Sequence, residues 1–498
     1  MPKLSKNPYY RILEIIPGAL VWMTFILAFL FSYFKPLWAI YFIILFDLYW
    51  LIKIVYLQIH LIISWQRFKK TLKINWLERL KTIKDWPEIY HLIILPTYKE
   101  GIEVIKSTFE NLIKMDYSLD KFIVVLAGEE KDKENFLKIV EEIKKDFAGK
   151  FFRLLIELHP KDLPGELAGK GSNTHYAGKK AKILIDQLKI PYKKIIVSSF
   201  DVDSCPHRQY FSYLTYTYLT HPDPVHASFQ PIALFNNNIW DSPALTRIVS
   251  RGTTFWLLTE LNRPERMSTF SSHSMSFNAL VDVGFWQNDI VSEDSRIFYQ
   301  CFIHYNGNYS VAPLYIPISM DTVYAGSLWQ SLVNQYKQQR RWAYGAENIP
   351  YLIWNLWKNK KIPFKKGFKS LFILSEGIYS WATAPILIFV LGKLPLWLAE
   401  EGIKTSVLIS NEPFILEILM QLAMVGLIIS AVLSIILLPP RPDKYKFHTY
   451  LFMLLQWILF PICFIFFGAI PALDAQTRLM LGKYLGFWVT KKVRKSLI

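Results

Sequence analysis

Ile15–Phe34 carries no charged residue in 20 positions. At 1.5 Å per residue a helix of that length crosses the roughly 30 Å hydrocarbon core of a bilayer. Leu37–Leu57 follows after a Lys35-Pro36 link, so the two runs pair as a hairpin. A secretory signal has a shorter apolar region and a small-residue cleavage site; this run is longer, and a second span follows at once. Three further runs lie near the C-terminus, at about Leu371–Leu398, Ile418–Leu438 and Thr449–Ile470. Each has a plainer reading as a buried core helix, but apolar runs of this length are rare in soluble cores. The chain reads as an integral membrane protein with a polar block between two groups of spans.

Composition narrows the rest. Apolar types are 52% of the 498 residues and charged types 19%, which excludes a disordered or fibrous chain. Three cysteines (Cys205, Cys301, Cys463) exclude a disulfide scaffold and a four-cysteine zinc site, and suit a reducing compartment. The net charge of +17 admits nucleic acid, anionic lipid or a phosphorylated substrate as partner. Position decides among them. Lys3, Lys6 and Arg11 precede the first span, Arg67, Lys69, Lys70, Lys73, Arg79, Lys81 and Lys84 follow the second, and Lys358–Lys369 holds six lysines ahead of the third. Positive charge flanking spans marks the cytoplasmic side and attracts anionic headgroups. No zinc-finger, recognition-helix or single-strand-binding pattern stands out, so nucleic acid is not expected.

This charge distribution places the N-terminus and residues 65–369 in the cytoplasm. Ala399–Pro413 has one lysine, Lys404, against Glu400, Glu401 and Glu412, as an outside loop would. Five crossings put the C-terminus outside, yet the tail is basic, with Lys491, Lys492, Arg494 and Lys495. A kink at Pro461 that makes the last run a re-entrant hairpin removes the conflict. The expected organisation is a membrane hairpin over 1–64, a soluble domain over 65–345, an interfacial amphipathic helix and basic linker over 346–369, and a C-terminal membrane region over 370–498. Within the third segment Ile349, Leu352, Ile353, Leu356 and Trp357 recur at helical spacing.

The soluble segment alternates two periods. His91–Leu95, Phe122–Leu126, Phe152–Leu158 and Ile195–Phe200 are short apolar runs, and Gly101–Lys114, Glu134–Phe147 and Thr174–Leu188 have helical spacing. Continuous apolar strands between amphipathic helices predict an α/β fold with a mostly parallel sheet covered on both faces. Ligands of such sheets bind outside the C-terminal strand ends, so chemistry is expected just after Leu95, Leu126, Leu158 and Phe200.

Polar groups stand there. Pro96-Thr-Tyr-Lys-Glu100 follows the first strand, although an ordinary strand-to-helix turn reads the same way. Asp201-Val-Asp203 follows the fourth; two carboxylates at i and i+2 on a loop can share one hard divalent cation, and a solvated turn is the plain alternative. Ser292-Glu-Asp294 precedes a helix-like run, where a carboxylate serves as a general base or merely caps the helix. Gln338-Gln-Arg-Arg341-Trp342 offers a phosphate ligand and an indole face for a sugar, or else a basic interfacial helix. Asp47 lies near mid-span and Glu376 near the start of the third span. Ionisable groups there face a bundle interior or a polar passage, and both are expected below Arg341-Trp342.

In this order and between two groups of spans, the motifs resemble the family 2 glycosyltransferases, and among them the membrane-embedded branch of the cellulose, chitin and hyaluronan synthases. The resemblance covers about 90–345 in detail and the spans in outline. It implies a cytoplasmic, Rossmann-like GT-A domain and an inverting transfer from a nucleotide-diphosphate sugar to a hydroxyl of a growing glycan, with Mn²⁺ or Mg²⁺. The alternative it leaves is transfer of a single sugar to a lipid or polyprenyl phosphate. By the same resemblance Pro96, Thr97, Tyr98 and Glu100 line the nucleotide pocket, and Lys170 and Asn173 lie near the diphosphate. Asp201 and Asp203 bind the metal, and Asp201 and Glu293 also touch substrate. Asp294 is the catalytic base, with Ser292 in place of a threonine. Gln338, Arg341 and Trp342 contact the diphosphate and acceptor. Two features depart from the pattern. The base-contacting Asp is replaced by Ala127-Gly-Glu-Glu130, where Glu129 or Glu130 substitutes. The glycine-rich acceptor segment is Ser268–His273, whose His273 is read as structural ahead of a sugar contact.

Overall fold

The computed structural model describes residues 4–398 and 407–486. Two long helices open the chain, α1 (Pro8–Phe34) and α2 (Pro36–Thr71). Asn7 caps α1 by accepting the backbone N–H groups of Tyr9 and Tyr10, and prolines occupy the first helical position of both helices, where the missing N–H costs nothing.

The soluble block follows as an alternation of β1 (Tyr90–Pro96), α3 (Ile102–Leu112), β2 (Phe122–Glu129), α4 (Lys133–Phe147), β3 (Arg153–His159), α5 (Lys170–Leu188) and β4 (Ile195–Ser199). Beyond it come β5 (Cys205–Pro206), α6 (Tyr210–Thr220), β6 (Ala227–Leu234), α7 (Ala244–Leu261), β7 (Ser274–Ser276), α8 (Glu293–His304), β8 (Ser310–Ser319) and α9 (Leu328–Ala343). Single-turn helices are left unnumbered. The sheet order is β3-β2-β1-β4-β7-β6-β8-β5. The predicted strands are the parallel half, with Leu92 opposite Ile123 and Val197. The other half is mixed: β7 runs antiparallel to β4 and β6, while β6 and β8 are parallel.

Successive strand residues feed two cores. Leu92, Ile94, Ile123 and Val125 pack with α5 and α7 on one face, and Ile93, Leu95, Val124 and Leu126 pack with α3, α4 and α6 on the other. This is the burial on both faces that continuous apolar strands demand. The first core does not stop at the soluble block. It continues through Leu352 of α10 (Asn348–Lys358) into Ala431 and Leu433 of α12 (Val407–Ile436) and Trp457 and Cys463 of α13 (Thr449–Met480). The block and the apolar bundle share one interior.

Among the described residues five helices are long and apolar enough to cross a membrane: α1, α2, α11 (Phe364–Phe389), α12 and α13. This is consistent with an integral membrane protein. The last one is not a hairpin. Its backbone stays helical from Thr449 to Met480, with a 3₁₀ turn at Gln456–Leu459 and a π turn at Ile465–Ala469 but no reversal at Pro461. It nevertheless begins and ends against the soluble block. At its start Tyr450 packs edge-on against Trp240, Gln456 accepts from Arg247, and Trp457 stacks on Phe255 of α7. Near its end Asp474 accepts from Arg340 of α9 at 2.8 Å, and the carbonyls of Leu479 and Met480 accept from Arg11, at the start of α1. The backbone thus lacks the expected kink at Pro461, and the helix has soluble-block contacts near both of its ends. The basic tail and most of the loop around Lys404 lie outside the described residues.

If both ends of α13 lie on the soluble-block side, cysteines introduced at Lys483 and Lys131 in a cysteine-free background will react with an impermeant maleimide from the same side of sealed vesicles. Labelling from opposite sides would restore a fifth crossing.

Candidate active site

The loops at the C-terminal ends of β1, β2 and β4 open on one cavity of about 1430 Å³. Pro96, Thr97, Tyr98, Glu100, Glu129, Lys170, Asn173, Asp201, Asp203, Glu293, Asp294, Gln338, Arg341 and Trp342 all line it. The structure therefore brings every sequence-predicted site residue to a single chamber. Their individual parts differ from those expected in several places.

Glu100 does not serve the helix that follows. Its Oε2 accepts the Thr97 hydroxyl at 2.8 Å and the Tyr98 N–H at 2.6 Å, and Gly101 caps α3 instead. The carboxylate folds the loop back on itself. Burial pushes its pKa up to about 7 against the lowering effect of these hydrogen bonds.

Glu129 ends β2. Its Oε2 lies 3.0 Å from His159 Nδ1, whose Nε2 is 2.9 Å from Glu166 Oε2. Burial disfavours the charged imidazole, but the two carboxylates outweigh it and the His159 pKa is raised. Glu129 Oε1 is buried without a hydrogen bond at the cavity wall. Asn173 is a brace: its side-chain amide donates to the Ala127 carbonyl at 2.8 Å and holds the end of β2.

Lys170 stands at the centre. Its Nζ is 2.7 Å from Asp201 Oδ1, 2.7 Å from Asp294 Oδ2 and 3.9 Å from Glu293 Oε1. Burial alone would lower its pKa, yet the three carboxylates hold it well above the usual lysine value. Gly171, next in sequence, lets α5 come this close: a Cβ there would sit 3.2 Å from both the Gln287 carbonyl oxygen and Glu293 Cβ.

Asp201 also accepts the Ser271 hydroxyl at 2.7 Å, and Asp203 Oδ2 accepts the Asp321 N–H at 2.9 Å. Among the described residues no cluster of three or more His, Cys, Asp or Glu side chains is arranged to hold a metal ion. Two hard oxygen donors at a cavity wall fit Mg²⁺ or Mn²⁺ when the remaining ligands come from water and a bound diphosphate.

Ser292 occupies the N-cap position of α8, but its hydroxyl donates to Glu347 Oε1 at 2.6 Å and bonds no helix N–H. Glu293 and Asp294 stand in the first turn of α8, as the capping reading of Ser292–Asp294 also expects. Asp294 is fixed from behind, its carbonyl accepting the Thr269 hydroxyl at 2.5 Å, while its Oδ1 has no hydrogen bond and lies 3.9 Å from His273 Nδ1. His273 is fully buried, its Nδ1 3.0 Å from the Phe270 carbonyl, and burial lowers its pKa, as a structural histidine requires. Glu293 is buried beside Asp294. Desolvation first, and then the Asp294 charge, push its pKa up to about 8 against Lys170 and Arg341. Trp342 packs edge-on against Phe270 at 5.5 Å.

Sequence reasoning missed Ser271, Thr269 and Glu347, which position Asp201, Asp294 and Ser292. The bulky Ser268–His273 segment was the available signal, since its hydroxyls sit where glycines have nothing to offer. At the membrane end of the chamber, lined by Trp50, Lys53, Leu57, Arg263, Arg266 and Glu376 among others, sequence reasoning pointed to Glu376 but missed Trp50, Arg263 and Arg266. Glu376 accepts from Lys53 and, at 3.1 Å, from Arg266. Asp47 is buried one turn from Trp50 but is not part of the cavity wall, so only one of the two expected intramembrane acids faces the passage.

No family model matches the chain, and no curated protein matches it. Among solved structures it is similar to the mannosyltransferase PcManGT from Pyrobaculum calidifontis, in complex with GDP-Man and Mn²⁺, at 14% identity and a TM-score of 0.42, over 86% of this chain and 99% of that one. It is also similar to residues 1–349 of S. aureus TarS, in complex with UDP-GlcNAc, at 13% identity and a TM-score of 0.32, over 69% and 90% of the two chains. The chemistry of the site rests on its own geometry.

A neutral buried Glu293 is favoured by the fold, so its contribution to stability is fully present below the unfolded pKa of about 4.5 and is lost as pH rises through about 8. Glu293→Gln removes that loss. In melts at pH 8.5 it should be more stable than the parent by on the order of 1 kcal/mol, with a smaller difference at pH 5. Equal pH dependence of the two proteins would contradict the assignment.

Proposed function

We propose that the protein is an inverting membrane glycosyltransferase that moves a sugar from a nucleotide-diphosphate donor to an acceptor hydroxyl. The observation that carries this reading is the convergence at Lys170. A cation 2.7 Å from a carboxylate of the Asp201/Asp203 pair and 2.7 Å from Asp294 makes the diphosphate site and the base site neighbours in one chamber. A displacement at one carbon needs that adjacency, with the leaving group on one side and the nucleophile on the other.

The nucleotide base lies toward Thr97, Tyr98 and Glu129 at the cavity wall. The diphosphate lies against Lys170 and Arg341. Asp201 and Asp203 would hold Mg²⁺ or Mn²⁺, which neutralises charge on the leaving diphosphate when bound. The Asp294 carboxylate takes the proton from the acceptor hydroxyl. The new C1–O bond forms opposite the C1–O bond to the diphosphate, whose electrons leave with the nucleotide. An α-linked donor therefore yields a β-linked product, with no covalent enzyme intermediate. Trp342 presents its indole to the acceptor side. The soluble block faces the cytoplasm, as the flanking lysines and arginines predict.

The acceptor end favours a lipid-borne acceptor over a glycan threaded across the bilayer. On α2 the chamber wall runs from Leu57 only to Trp50, and on α11 from Ile373 to Trp381. Eight or nine residues of helix span about 12–14 Å, well short of a bilayer core of roughly 30 Å.

Asp294→Asn should lower transfer by about 10²–10⁴-fold, the usual range for a lost general base, with donor affinity nearly unchanged by calorimetry. Near-parental turnover would remove Asp294 from the mechanism. Nucleotide diphosphate release from a panel of nucleotide-sugars should cease in excess EDTA and return with Mn²⁺ or Mg²⁺, and Asp203→Ala should weaken donor binding more than it slows bound donor. Full activity in EDTA would exclude the metal role of the pair.

A further inference from the structure

Residues 160–169 join the end of β3 to Lys170 at the start of α5. Ala168 and Gly169 line the chamber wall beside Lys170. The segment is attached near both of its ends. The Lys161 N–H donates to Glu130 Oε2 at 2.9 Å, and Lys131 pairs with Asp162 at 2.9 Å. Further along, Glu166 Oε1 accepts from the Asn288 side chain and the Leu167 N–H donates to the Asn288 carbonyl, both at 2.8 Å. Four steps of chain lead from Glu166 to Lys170, so their Cα atoms are at most about 14 Å apart. Whatever fixes Glu166 therefore limits where Lys170 can stand.

His159 ties this segment to the donor side. Parallel pairing of β2 with β3 sets His159 opposite Glu129. The imidazole is buried between two carboxylates, with Nδ1 3.0 Å from Glu129 Oε2 and Nε2 2.9 Å from Glu166 Oε2. A carboxylate oxygen accepts, and a neutral imidazole has one N–H to give. Only the imidazolium serves both contacts at once, and hydrogen bonds between charged groups are the strong ones. The raised His159 pKa agrees with this arrangement. From α5, the Tyr176 ring lies edge-on to His159 at 5.2 Å, and His175 is turned away to the Trp286 carbonyl. Lys131, Lys161 and Asp162 line a small cavity of about 60 Å³ beside His159, together with Glu129 and Glu166. The three bonded side chains hold one another and are not arranged as metal ligands among the described residues.

We propose that His159 is a positioning residue for donor binding: as an imidazolium shared by Glu129 and Glu166, it holds residues 160–169 against the end of β2 and so keeps Lys170 in place for the diphosphate. The diphosphate part rests on the transferase reading, while the clamp stands on its own three side chains. A clamp that needs the imidazolium is complete below the ordinary histidine value of 6.5 and is lost as pH rises through the higher folded value. Donor binding then weakens in alkaline solution through a group that touches neither Lys170 nor its carboxylates.

Binding of UDP and of GDP with Mg²⁺ to the full-length protein in neutral detergent is measured by calorimetry at pH 6 and pH 9, for the parent and for His159→Gln. Glutamine keeps a polar side chain but never carries charge. At pH 6 the parent should bind nucleotide about tenfold more tightly than the variant, and at pH 9 the two should agree within about twofold. A merely structural histidine would give one ratio at both pH values, and that result would overturn the proposal. Hydrogen–deuterium exchange of the nucleotide-free proteins reads the clamp directly. Amides of residues 160–169 should be protected in the parent relative to the variant at pH 6 and exchange alike at pH 9; protection that does not change with pH would also overturn it. Should His159→Gln not fold, Glu166→Gln is measured in the same way with the same two outcomes. Protection that depends on pH in a protein that binds neither nucleotide upholds the clamp and sinks the transferase reading. Nucleotide binding with a constant ratio and constant protection does the reverse.

Discussion

The active centre depends on one ammonium group. Asp201 follows β4 and Glu293 and Asp294 open α8, and without a cation their convergence would be repulsive; two like charges 4 Å apart near a protein surface cost about 4 kcal/mol. Lys170 Nζ, within 2.7 Å of two of them and 3.9 Å of the third, turns that repulsion into a joint. It ties the first turn of α5 to the end of β4 and to the start of α8, and Gly171 supplies the close approach. The remaining imbalance is absorbed by Glu293, which burial drives toward its neutral form. The same joint places a cation and two cavity-lining carboxylates side by side.

The parallel half of the fold was legible because its strands are buried on both faces. Phe122–Leu126 is apolar at every position, and His91–Leu95 and Ile195–Phe200 are apolar but for His91, Ser198 and Ser199, a pattern that solvent-facing strands do not carry. The mixed half was not. β7 is three residues, Ser274–Ser276, with two serines, and its place between β4 and β6 is set by pairing and by buried hydroxyl contacts such as Ser198 with Ser274. No period could reveal it.

The site was legible as a set and less so in its parts. Strand ends told where chemistry sits, and the carboxylates were found there. What a side chain does once there depends on neighbours distant in sequence. Asn173 lines the chamber as expected and also braces Ala127, while Ser292 reaches Glu347 across 55 positions of chain. The last apolar run shows the same limit in the membrane. Hydropathy reports length and polarity, and α13 satisfies both, but whether it crosses is decided by what holds its ends: Trp240 and Arg247 at one, Arg340 and Arg11 at the other. That helix, with α2 and α11, closes the chamber on its membrane side, so the bundle is part of the site as well as its anchor.

The central claim is a single displacement in which Asp294 activates the acceptor on the side opposite the diphosphate. Its most direct test is the configuration of the first product. Nuclear magnetic resonance of the anomeric proton, recorded early in a reaction begun with an α-linked nucleotide-sugar, should show a β-linked product. An α-linked product would mean retention, and a second nucleophile that this arrangement of Lys170, Glu293 and Asp294 does not provide.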